Sequence, residues 1–147
     1  MSANASYEWQ MEVLGDNAEY PGHPVVLAAM VMDRYQSFEH AKGYRDGAQY
    51  YNAISDSFIP GAGCAVSSTM TVLKLALEHG PEAAFKEAER YWQGWENQSP
   101  RNKERAENGR RQAELAKPLF RQRLQWWRIG ELPPSKWRLE EDAVELA

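Results

Sequence analysis

A single cysteine, Cys64, in 147 residues excludes an intramolecular disulfide and leaves no mark of an oxidising compartment. Long apolar runs are missing too. The longest, Val25 to Met32, has eight residues, against the roughly 18 or more needed to span a bilayer. The N-terminal Met-Ser-Ala-Asn-Ala-Ser-Tyr-Glu-Trp has neither the basic nor the apolar region of a secretory signal. These absences lead to the expectation of a cytoplasmic protein that does not enter a membrane, with phage-encoded or injected proteins included in that class.

Recognisable active-site chemistry is equally scarce. The three histidines, His23, His40 and His79, form no His-x-x-x-His pair, and none has Glu three residues before it, so neither a zinc helix nor a di-iron bundle motif is encoded. Gly61-Ala62-Gly63-Cys64 could present backbone donors to an anion, but it lacks the Lys-Ser/Thr of a phosphate loop. It reads as a connector. Cys64, Ser67 or Ser68 as a nucleophile needs a base within about 3 Å. His79, fifteen residues from Cys64, would lie some 22 Å away along one helix at about 1.5 Å per residue. Neighbouring carboxylates such as Glu78 with Glu82, or Glu140, Glu141 and Asp142, read as solvated helical faces. No catalytic, cofactor-binding or metal-ligating residue is assigned, and a non-enzymatic protein is expected.

What the chain does have is aromatic and apolar residues at helical spacing. With 43% hydrophobic and 12% aromatic residues, it can build one core without metal or disulfide support. An all-α, single-domain bundle of about six or seven helices over residues 1–147 is expected. After an N-terminal segment, 1–23, Pro24 opens a helix as its first residue, with Leu27, Val31, Tyr35 and Phe38 on one face. Gly43 interrupts the next stretch, where two helices are expected to meet, and residues 59–63 form a loop. Val66, Met70, Leu73 and Leu77 mark a helix ending at His79, with Gly80 in the left-handed position beyond it. Pro81 restarts a helix with Phe85, Ala88, Trp92 and Trp95 along one stripe. Ser99 and Pro100 read as N-cap and first residue of a basic helix over 99–128, kinked or split at Pro118. Pro133-Pro134 breaks the chain, and Ser135 caps a short acidic helix, 135–146.

The basic helix carries the one constellation with functional content. Between Arg101 and Arg128 there are nine Lys/Arg against three Glu, a local charge of +6 in a chain of net charge -4. Projected at about 100° per residue, Lys103, Arg110, Lys117, Arg121 and Arg128 fall within about 40° of one another. Ala106, Ala113, Phe120, Leu124 and Trp127 line the adjoining apolar stripe.

Three readings of the stripe follow: a cationic flank that is solvated or pairs with the acidic residues of positions 1–60 and of the C-terminal tail; a contact for a protein with an acidic face; and a nucleic-acid surface where Trp126 or Trp127 stacks on bases. The candidate macromolecule-binding residues are therefore Lys103, Arg110, Lys117, Arg121, Arg128, Trp126 and Trp127. The expected function is that of an interaction protein for a protein or nucleoprotein complex, in the manner of an inhibitor or accessory subunit of a bacterial or phage machine, the anti-CRISPR class among them. Direct nucleic-acid binding is the alternative, and a helical enzyme whose site is assembled only in tertiary structure is the second. The six Trp leave a homodimer open.

Overall fold

In a computed structural model, residues 2–18, 22–34 and 66–129 are described. They form five α-helices and, among the described residues, no strand. The fold is all-α, as expected. The five helices stand against six or seven expected, but the region around Gly43, the 59–63 loop and the 135–146 helix lie outside the described residues.

The apolar run sits at the centre. Helix α2 (Pro24–Arg34) starts at Pro24, whose fixed φ suits the first helical position. Val25 to Met32 are each no more than 2% exposed. A helix apolar all round must be enclosed rather than lie against a core on one face, so the one-sided pattern expected over Leu27 and Val31 gives way to complete burial. The N-terminal segment carries a helix of its own, α1 (Ser2–Val13), followed by a 3-10 turn at Gly15–Asn17. Trp9 and Leu14 from this segment enter the same core.

Helix α3 (Val66–His79) ends where expected. Gly80 has φ +95°, a conformation costly for any residue with a Cβ, and its N–H donates to the Ala76 carbonyl at 2.9 Å. Helix α4 (Pro81–Asn97) then starts at once on Pro81 and packs extensively on α3. Phe85, Ala88 and Trp92 of the aromatic stripe are buried, and Trp95 is half-buried.

Ser99 does act as a cap: its hydroxyl accepts from the Arg101 N–H at 3.2 Å. The first turn, Pro100–Asn102, is 3-10 before α5 (Lys103–Ile129) begins. Helix α5 is one helix of 27 residues and is not split at Pro118. That residue lies on the exposed side, where water can take the carbonyl that the missing N–H leaves unpaired. The opposite side of α5 packs on α2 and α4, bringing Ala113, Ala116, Phe120, Leu124 and Trp127 into the core.

Candidate macromolecule interface

The basic stripe faces the next helix. Glu82, Glu89 and Glu96 of α4 repeat every seven residues, as do Lys103, Arg110 and Lys117 of α5. Because α4 and α5 are joined by a short turn, their order runs in opposite directions along the contact. Arg110 is the central member. Its Nε donates to Glu89 Oε2 and its Nη2 to Glu96 Oε1, both at 2.9 Å, and Nη2 also reaches Gln93 Oε1 at 3.2 Å. Arg121 pairs with Glu82 and Lys117 with Glu114, while both cations lie over the Phe85 ring at 4.9 and 5.0 Å.

Arg128 has a different task. Its Nη2 donates to the carbonyls of Ala76 and Leu77 at 2.9 and 3.1 Å, adding a second donor to Ala76, which already accepts the Gly80 N–H, and a cationic cap to the C-terminal end of α3. Of the five stripe cations, Lys103 alone makes no ion pair or hydrogen bond among the described residues, and it is exposed. Among the described residues, the carboxylates engaged by Arg110, Lys117 and Arg121 come from α4 and from α5 itself; positions 35–60 and the C-terminal tail, which the sequence offered as partners, lie outside the described residues.

The two tryptophans part company. Trp127 is buried and its Nε1–H donates to the Met32 carbonyl at 3.1 Å, which fixes α5 to the end of α2. Trp126 is half-buried and carries the Arg123 guanidinium 4.2 Å from its ring centre. Arg123, which the stripe projection left out, forms a buried ion pair with Asp33 of α2.

Three features escaped the sequence reading. The seven-residue Glu spacing on α4 was legible, but only if α4 and α5 are taken as neighbours. Gly109 is buried against Trp92, whose Nε1–H donates to the Ala106 carbonyl at 2.9 Å. His23 stands before Pro24 and packs on Trp92, with ring centres 5.1 Å apart. Its Nδ1 accepts the Val25 N–H at 3.1 Å, and its Nε2 lies 4.0 Å from Glu89 Oε1. Burial pushes the imidazole below its ordinary value, with Glu89 opposing that shift and Arg110 and Lys117 adding to it. Glu89 is held below the usual carboxylate value by His23 first and by Arg110. Arg110 is raised, chiefly by its bond to Glu96.

A cavity of about 300 Å³ lies between α3 and α4, lined by Ser67, Ser68, Thr71, Val72, Glu87, Arg90 and Tyr91. Its groups are largely engaged with one another: Thr71 donates to the Ser67 carbonyl at 2.9 Å, and Arg90 pairs with Glu87. Among the described residues no histidine lines it, so none of them offers Ser67 or Ser68 an imidazole base there. Among the described residues, no three His, Cys, Asp or Glu side chains are grouped to hold a metal ion. Nor is any helix among them long and apolar enough to cross a membrane.

No family model, curated protein or solved structure matches this chain significantly. The functional reading therefore rests on its own residues.

The α4–α5 turn is exposed. Arg101, Lys103 and Arg105 are exposed there, with Arg105 6.0 Å over the half-buried Trp95 ring. Trp95 is in turn stacked on Trp92 at 4.6 Å. Asn102 fixes the turn by donating to the Trp95 carbonyl at 2.7 Å.

Proposed function

We propose that the protein is a non-enzymatic interaction protein that binds a macromolecule with an acidic face. It would act as an inhibitor or accessory subunit of a bacterial or phage nucleoprotein machine. The observation that carries the binding surface is the separation of its cations. Arg110, Lys117, Arg121 and Arg128 are engaged within the chain, whereas Arg101 and Lys103 stand exposed at the α4–α5 turn that Asn102 ties to Trp95. Exposed Arg next to a partly buried aromatic residue is a composition suited to binding anchors.

The deciding variant is Arg101→Glu and Lys103→Glu together. It should abolish capture of the native partner in a pull-down while leaving helical content and melting temperature nearly unchanged. Retention of the same partner by the variant would overturn the assignment of this surface. A shift of short nucleic-acid probes by the wild-type protein, weakening by about one power of salt for each phosphate contact, would instead identify nucleic acid as the direct ligand.

A further inference from the structure

Helix N-caps are usually Ser, Thr, Asp or Asn, whose short side chains accept a backbone N–H from the first turn. Helix α2 uses a histidine. The His23 carbonyl accepts the Leu27 N–H at 3.1 Å, the first bond of the helical ladder, and its ring Nδ1 accepts the Val25 N–H at 3.1 Å. Pro24 has no N–H to satisfy, so Val25 presents the first donor of this helix.

An imidazole nitrogen can accept that bond only while it carries no proton. The geometry therefore assigns the ring proton to Nε2, which faces Glu89 across 4.0 Å. Protonation at Nδ1 would set one N–H against another in a site where the residue is only 3% exposed and lies against Trp92. The charged groups that bear on the ring among the described residues are Glu89 of α4 and Arg110 and Lys117 of α5. Two cations thus oppose the one carboxylate, and Arg110 also holds that carboxylate by a bond of 2.9 Å.

We propose that His23 is a proton-sensitive latch: neutral, it caps α2 and seats its first turn against α4; protonated, it releases that turn. The device belongs to the core rather than to the α4–α5 turn, so it stands independently of the binding surface proposed above. Its effect reaches further than one bond because α2 is the enclosed helix on which α3, α4 and α5 all pack.

Burial places the folded-state value below the ordinary 6.5, so the unfolded chain takes up the proton first as pH falls. The stabilising contribution is complete above about pH 6.5 and is lost as pH falls through the folded-state value.

The test is a heteronuclear NMR pH titration of the full chain. The His23 ring should show the Nε2–H form at neutral pH and titrate below 6.5. Over the same range, Val25 amide protection, corrected for intrinsic exchange, should fall by up to about tenfold per pH unit between about pH 6.5 and the ring's midpoint and level off below it. His23→Asn keeps a capping acceptor that does not titrate, so its melting temperature should vary less than wild type between about pH 7 and pH 5. Titration of the ring at or above its ordinary value would overturn the proposal, as would Val25 protection indifferent to that titration. An undiminished pH dependence in His23→Asn would do the same. If that variant does not fold, the wild-type titration decides alone.

Discussion

A Cβ added to Gly109 would lie 2.8 Å from Cε2 of Trp92, and the indole is held there by its bond to the Ala106 carbonyl. Gly109→Ala therefore sets a steric cost of about 1 to 3 kcal/mol against a helix-propensity gain of about 1 kcal/mol. A rigid, hydrogen-bonded ring cannot yield cheaply, so the variant is expected to unfold at lower urea concentration. Gly94 makes the opposite case: a Cβ there meets nothing within 4 Å, and Gly94→Ala should raise stability by about 0.5 to 1 kcal/mol. The buried Asp33–Arg123 pair gives a second residue-level prediction. Asp33→Leu alone leaves the buried Arg123 guanidinium without that carboxylate and should cost about 3 to 5 kcal/mol; Arg123→Met is the second half of the pair. The double variant should recover much of that loss in a double-mutant cycle, because removing both ions also removes their desolvation cost.

At the scale of the element, α4 and α5 are held by a layered contact rather than by charge alone. Beneath the ion pairs lie Phe85 and Phe120, edge to face at 5.0 Å, and the Trp92–Gly109 approach. The pairs themselves differ in worth. Arg121 and Glu82 are 47% and 78% exposed, and truncating either should change stability by at most about 1 kcal/mol. Reversing Arg110, Lys117 and Arg121 together is another matter, since it would set new carboxylates against Glu82, Glu89 and Glu96. That variant should melt well below wild type and regain stability as salt is added, because screening weakens the repulsion. A melting temperature unchanged by the triple reversal would show that the seam contributes nothing to the packing of α4 on α5. This expectation also separates the seam from the exposed turn, where reversal of Arg101 and Lys103 should leave stability intact. Arg128 joins elements in yet another way, by capping the carbonyl end of α3 from the last turn of α5.

At the scale of the molecule, acid should loosen the fold in two stages. The first follows from His23, below about pH 6.5. The second follows from Glu89, whose depressed value means that its contribution is present above the ordinary 4.5 and is lost as pH falls through the folded-state value. Thermal melts across this range should show both limbs in wild type, whereas His23→Asn should lose the upper limb and keep a weaker lower one that Arg110 alone sustains. Much of the architecture behind these predictions was legible in the chain. Pro24, Gly80, Pro81 and Ser99 mark helix ends because their backbone or capping chemistry acts locally, and the spacing of Phe85, Ala88 and Trp92 marks a buried face because helical period is local too. The basic stripe was equally legible as a stripe. Its partners were not, because a periodic pattern gives the direction in which side chains project from one helix but not which helix stands opposite. The sequence by itself thus determined an all-α chain, its helix boundaries and a segregated row of cations. Only the tertiary structure decided that α2 is enclosed on every side, that Arg110 and Arg121 meet the α4 carboxylates, that Arg123 is buried on Asp33, and that His23 caps a helix within reach of Glu89. Each of those outcomes depends on contacts between residues distant along the chain, and they are fixed by the way the helices close around one core.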